Sequence, residues 1–325
     1  HYYDGYDDVS SRAKDWCWYC LTKNHSPKHL RHKRGCFIFF LFHQAFRNSS
    51  EWLWRRNAER LLSGEVHMFV ICINDCSDPN AQGRQGAKVG ALFGVAPTFV
   101  PVSSDLEAAG NLVDVLDATE GKPGVILVNV APRHGAAKKW PNGTPFGYFY
   151  VGETLVIASI DGLTLSLVKK LGLVATIHVF DIPIVMAEAV RQGWVTEARA
   201  EAVINTQFRS LEFVPQAAAW VLAGNQLPTT PMSVVEVPDA PLVVWCKDNF
   251  GNCKTTLLPG ELSAVTRKNL FGVPLHARLA DVPNGKTSFT VGSSGYGPHR
   301  FVEIVVQGGS AATRLRFRSG TVIGA

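Results

Sequence analysis

The sequence predicts a two-part α/β protein: an N-terminal three-layer α/β/α domain with a mostly parallel sheet, followed by a small C-terminal all-β barrel. Three observations carry this. Between Met68 and Gly224, apolar runs of strand length alternate with helical patterns, the order that buries a parallel sheet under helices. After the polar, proline-containing stretch Asn225–Pro231 the pattern changes to short alternating runs broken by turns. The chain of 325 residues, 46% of them apolar, is long enough for two cores.

The elements follow in order. Phe69–Ile73, directly after Met68, is a buried-strand run. Gly83–Phe93 reads as a helix and Thr98–Val102 as a short strand. Ser104 caps a helix from Leu106 to about Leu116, with Leu106, Ala109, Leu112, Val113 and Leu116 on its apolar side. Gly124–Val130 is fully apolar but for Asn129, as a central parallel strand requires. Phe149–Val151, Leu155–Ser159 and Val174–Phe180 are further strands. Asp161 is expected to cap a helix over Gly162–Leu171, and Pro183–Gln192, Thr196–Thr206 and Gln216–Leu222 are helical. Residues 68–225 thus form the first domain and 226–235 a linker. In residues 236–325 and just before them, Val234–Val237, Leu242–Trp245, Ser288–Val291 and Phe301–Val306 supply the β domain.

Residues 1–67 differ from the rest. They hold 4 of the 8 Trp, 6 of the 10 His and 3 of the 7 Cys, without a sustained hydrophobic period. Met68 is the first methionine, and Glu65-Val66 can be encoded by a ribosome-binding sequence. The segment therefore reads as non-native upstream sequence translated in frame, or as a disordered extension. A zinc module at Cys17, Cys20, His25, His29, His32 and Cys36 is the alternative, but it lacks a second paired ligand set at finger spacing.

Charge and cysteines exclude several classes. Of the net charge of +5, residues 1–67 supply most, with 11 Lys+Arg against 7 Asp+Glu. The remaining residues carry 21 against 20, so nucleic-acid binding has little electrostatic support. Seven cysteines, an odd number, fit a reduced cytoplasm better than a secreted disulfide framework. No apolar run reaches membrane-spanning length. Dinucleotide, P-loop and serine-hydrolase motifs are all missing.

Several local motifs are more specific. Asp248-Asn-Phe-Gly-Asn252 resembles the D-x-F-G-N opening of the β domain in the S-adenosylmethionine hydroxide adenosyltransferases, the family that includes the fluorinases and chlorinases. Phe301-Val-Glu-Ile-Val-Val-Gln-Gly-Gly-Ser-Ala-Ala312 is similar to that family's closing strand and helix, and Arg316–Ile323 to its last strand. Asn74-Asp75 stands where the family has T-D or S-D, and Phe213-Val-Pro-Gln-Ala-Ala-Ala219 matches its F-x-P-A-A-A helix start. The resemblance spans roughly residues 68–325.

It implies cleavage of S-adenosylmethionine by attack at ribose C5′, with the molecule bound as substrate and no cofactor or metal. It also implies a homotrimer whose site lies between one subunit's α/β domain and its neighbour's barrel. Asp75 would accept the two ribose hydroxyls, although a turn or helix cap in Asp75-Cys-Ser-Asp78 is the plain alternative. Asp248 would meet the methionine ammonium and Asn252 the adenine edge, although both suit a turn equally. Ser293 and Ser294 fall near the family's methionine-carboxylate loop.

The water-activating groups depart from the pattern. Where the family's hydrolases have D-P-G-x-G-x-x-R, this chain reads Ala131-Pro-Arg-His-Gly-Ala-Ala-Lys138, and Phe208 takes the place of the family's His. His134 and Lys138 are the substitute catalytic candidates, with a plain surface loop as the alternative. The expectation is a hydrolase-like enzyme. A binding protein without turnover, or a hydrolase of another small molecule in the same pocket, is the alternative.

Overall fold

In a computed structural model of the chain, residues 68–131, 143–262 and 272–323 are described, all within one compact unit, Arg56–Ala325. The segment 1–67 lies outside the described residues.

Seven strands form the first sheet: β1 (Phe69–Asn74), β2 (Thr98–Pro101), β3 (Gly124–Asn129), β4 (Phe146–Val151), β5 (Thr154–Ser159), β6 (Thr176–Phe180) and β7 (Thr229–Ser233). Their order is β2-β1-β3-β5-β4-β6-β7. The β2, β1, β3 and β5 strands are parallel neighbours. Beyond them β4 runs antiparallel to both β5 and β6, and β6 antiparallel to β7. The sheet is therefore mixed rather than mostly parallel. Only Gly152 and Glu153 separate β4 from β5, and so short a link permits only an antiparallel hairpin.

Alternation along the strands divides the core in two. Val70, Cys72, Val125, Leu127, Leu155 and Ile157 face one side. There they meet α1 (Pro79–Phe93), α4 (Ile182–Arg191), α5 (Glu197–Asn205) and α7 (Val214–Leu222). Ile73, Ile126, Val128, Val156 and Ala158 face the other side, under α2 (Asp105–Thr119) and α3 (Ser166–Lys170). The three layers expected from the sequence are present. The short helix α6 (Arg209–Glu212) precedes α7.

Caps set the starts of the two long helices. Asp78 accepts from the N–H groups of Asn80 and Ala81, with Pro79 in the first turn of α1. Ser104 accepts from Glu107 at the start of α2. The expected helix Gly162–Leu171 is shorter: it begins at Ser166 after Leu165, and no side chain, that of Asp161 included, caps it.

The segment 226–235 is not a free linker: Thr229–Ser233 is β7, the edge strand of the first sheet. Pro231 is compatible with that place because an edge strand leaves one row of backbone groups unpaired. Val234–Glu236, expected in a strand, is a 3-10 turn. Ser233 caps it, and Glu236 accepts the Ser233 N–H in return at 3.0 Å.

The second sheet has five strands: β8 (Val244–Lys247), β9 (Cys253–Thr255), β10 (Leu275–His276), β11 (Thr287–Tyr296) and β12 (His299–Val306), ordered β10-β11-β12-β9-β8. The expected closed barrel is an open sheet among the described residues. Its edges are the two-residue β10 and the four-residue β8, the latter flanked by a single antiparallel bridge from Val243 to Val322. Phe289, Val302, Ile304 and Val306 form its core together with Ala311 and Ala312 of α8 (Ala311–Leu315).

Helix α2 is buried on two sides, which explains its broad apolar surface. Ala108, Leu112 and Leu116 enter the first sheet's core. Ala109 and Val113 meet Phe301 of the second sheet, and Leu106 meets Val243 and Trp245. Gly110 is a requirement of this contact, since a Cβ there would overlap the Trp245 ring. Charged groups complete the joint. Arg300 reaches Asp117 at 2.6 and 3.2 Å, and Lys254 reaches Asp114 at 3.3 Å.

Candidate functional site

The chain leaves β1 through α1 to reach β2 on one side, then leaves β2 through α2 to reach β3 on the other side of β1. Because α1 and α2 cover opposite faces, the carboxyl ends of β1 and β3 form a topological switch point. Open α/β sheets bind ligands at such a switch point.

Asp75 stands there, one residue beyond β1. Its backbone N–H donates to the Asn129 carbonyl at 3.2 Å. Its Oδ2 accepts the Ala131 N–H at 2.9 Å, and its Oδ1 accepts from Asn129 Nδ2 at 3.5 Å. The helix cap that rivalled a ligand role for Asp75 is supplied by Asp78 instead. Cys76 Sγ also donates to Oδ1 at 3.7 Å, so the scaffold holds the carboxylate in a fixed orientation.

Behind Asp75 runs a buried neutral chain. Asn74 Nδ2 donates to Gln85 Oε1 at 2.7 Å, and Gln85 Nε2 donates to Ser210 Oγ at 3.3 Å. These groups and Asn129 line a cavity of about 10 Å³ together with Cys72 and apolar neighbours. Asn74 Oδ1 is buried on its wall without a partner among the described residues. The space suits one water, and that acceptor would hold it. Burial pushes the Cys72 thiol up to about 12, so it is an inert wall rather than a nucleophile.

The other expected ligand residues lie in or beside the second sheet. Asp248 Oδ1 accepts from the N–H groups of Phe250 and Asn252 at 2.9 and 2.8 Å, and its Oδ2 accepts from Asn252 Nδ2 at 2.9 Å. The Asp248–Asn252 loop is thus a carboxylate-braced turn that presents Phe250, 73% exposed, at its tip. Ser294 is buried and donates to Asp114 Oδ1 at 2.6 Å, where the Gly295 N–H also donates. That makes Ser294 part of the joint to α2. The Ser293 carbonyl accepts from Arg300 at 3.0 Å. Nearby Glu303 is raised by burial, against the charge of Lys254.

His134 and Lys138 lie outside the described residues. Of the other positions that the resemblance singled out, Ala131 offers its backbone to Asp75, and Phe208 carries the Arg84 guanidinium 5.3 Å above its ring. Among the described residues no group of three metal-ligating side chains converges, and no helix is long and apolar enough to cross a membrane. The sequence reading named Asn74 only as the neighbour of Asp75 and missed Gln85, Asn129 and Ser210. Asn129 alone left a signal, as the one polar residue in the Gly124–Val130 run.

No protein-family model and no curated protein matches the chain. Solved structures do. One is the crystal structure of an uncharacterized conserved protein from Thermotoga maritima, with TM-score 0.51 and 18% identity over 78% of this chain and 98% of that one. Another is that of a conserved hypothetical protein from Thermus thermophilus, with TM-score 0.45 and 19% identity over the same shares, 78% and 98%. The first likeness shows that the α/β fold recurs nearly whole in another protein, and at that identity it shows the fold alone.

Proposed function

We propose that the chain is an S-adenosylmethionine hydrolase-like enzyme whose substrate's adenosyl group binds at Asp75. The observation that carries this reading is the Asp75 carboxylate at the β1/β3 switch point, held by the Ala131 N–H and Asn129. A fixed carboxylate at that place suits a ribose diol, because two hydroxyls can donate to it in charge-assisted hydrogen bonds. The braced Asp248–Asn252 turn and its exposed Phe250 offer a second, aromatic surface. In a homotrimer that turn would come from the neighbouring chain.

In the reaction a water oxygen attacks C5′. The new C–O bond forms as the C5′–S bond breaks, and the sulfonium sulfur takes the electron pair and leaves as methionine. The water proton passes to solvent or to a base, for which His134 is the candidate. Alignment and exclusion of bulk water supply the rest.

A second reading, adenosyl binding without turnover, is favoured by one observation. Phe208 replaces a titratable group and lies under Arg84, where it can take no proton. Incubating the full chain with S-adenosylmethionine and following adenosine and methionine by chromatography separates the two. Equimolar release of both supports the enzyme. Binding without release supports the second reading, and neither binding nor release contradicts both.

A further inference from the structure

Two arginines near the candidate site, Arg209 and Arg84, have no carboxylate partner among the described residues. Arg191, Arg199, Arg278 and Arg300, by contrast, each pair with an acidic side chain. Arg209, the first residue of α6, has a buried Nε–H with no acceptor among the described residues. Its guanidinium lies against Gly143, whose φ of 72° and lack of a Cβ leave the room it occupies. Burial lowers its pKa, a sign that the cation is partly desolvated with little to offset that cost. Arg84 of α1 lies over Phe208, the residue before Arg209.

Both cations are tied to the same buried chain. Ser210 follows Arg209 and Gln85 follows Arg84, and these two residues are joined by the 3.3 Å hydrogen bond that leads on to Asn74, beside Asp75. The residues next to the two arginines thus share the chain behind Asp75, with the Arg209 side chain half-buried and that of Arg84 exposed.

We propose that Arg209, with Arg84 as the outer partner, binds an oxyanion of the phosphate class carried by a small-molecule ligand. A planar guanidinium fork matches phosphate oxygens, and two such cations balance a dianion better than a single carboxylate. The assignment goes beyond the adenosyl reading, which needs no anion here. A nucleoside 5′-phosphate would unite the two, with its diol on Asp75 and its phosphate on Arg209.

The test is calorimetric titration of the full chain with inorganic phosphate at ionic strength held constant with chloride, in wild type, Arg209→Gln and Arg84→Gln. Saturable binding is expected, weakened tenfold or more by Arg209→Gln and less by Arg84→Gln. Without phosphate, Arg209→Gln should melt no lower than wild type, since an unpaired charge has been removed. No saturable phosphate binding in wild type overturns the proposal, as does unchanged affinity in Arg209→Gln. If Arg209→Gln does not fold, unchanged affinity in Arg84→Gln, whose side chain is exposed, overturns it equally. Adenosine titrated in parallel keeps the readings apart. Adenosine binding without phosphate binding sinks the anion site alone, and phosphate binding without adenosine binding sinks the adenosyl reading alone.

Discussion

The Ala131 N–H donates to Asp75 Oδ2 at 2.9 Å, linking the residue after β1 to the segment after β3 across the point where the sheet's connections reverse. Ala131 stands where the resembled hydrolases place an acidic side chain, and here it offers its backbone. One carboxylate is thereby fixed at the carboxyl end of the sheet, where open α/β sheets place ligand groups.

The buried amide chain should be needed for the wall of this site. Gln85→Leu removes the acceptor of Asn74 Nδ2 and the donor to Ser210 while adding no compensating group. The expected cost is about 1–3 kcal/mol of stability, the usual penalty for an orphaned buried polar group. Chemical denaturation measures it, and an unchanged midpoint would show that water replaces the amide freely.

The joint between the two sheets should be sensitive at Gly110. Gly110→Ala drives a methyl into the Trp245 ring, and overpacking of this kind costs about 1–3 kcal/mol. A melting temperature lowered by several degrees and an altered Trp245 emission are expected. A variant indistinguishable from wild type would mean that the second sheet shifts without cost.

Two thiols should be unreactive in the folded protein. Burial raises Cys72 to about 12 and Cys253 to about 11. At pH 8 both are almost wholly protonated, and the thiolate is the reacting form. Mass-spectrometric mapping after brief alkylation should find Cys72 and Cys253 unmodified in native protein and modified in denaturant. Rapid native labelling of either would contradict their placement.

Acid should loosen the Asp117–Arg300 contact. Burial alone would raise the Asp117 pKa, but the Arg300 hydrogen bond, the Gly297 N–H and the Arg300 charge together hold it below 3.8. A carboxyl with a depressed folded pKa adds stability above its unfolded value and gives it up as pH falls through the folded one. The melting temperature of wild type should therefore fall more steeply below about pH 4 than that of Asp117→Asn. Parallel curves would show that the pair adds nothing.

Much of the first domain was legible because its signals are local. The apolar runs of β1 and β3 and the Ser104 cap depend on residues close in sequence. What failed depended on distant partners. Thr229–Ser233 looks like a linker because it is short, polar and contains Pro231, and only its pairing with Thr176–Phe180 makes it a strand. Strand patterning in the second domain did not reveal whether the sheet closes, since closure is a property of the edges. The place of Asp75 just beyond a strand was legible from the Phe69–Ile73 run. The Ser294 contact with Asp114 left no signal in the sequence, because its partner lies 180 residues away. Arg209 was invisible because its burial and the lack of an acceptor among the described residues are set by neighbours distant in sequence.

The central claim, that Asp75 anchors an adenosyl group, is tested most directly by titrating adenosine into wild type and Asp75→Ala in a calorimeter. Two charge-assisted hydrogen bonds to the ribose are each worth about 1.5–3 kcal/mol, and a tenfold loss needs only about 1.4 kcal/mol. Saturable binding in wild type, weakened at least tenfold in Asp75→Ala and less in Asp75→Asn, is the predicted result. No heat from wild type at millimolar adenosine, or equal affinity in wild type and Asp75→Ala, would contradict it.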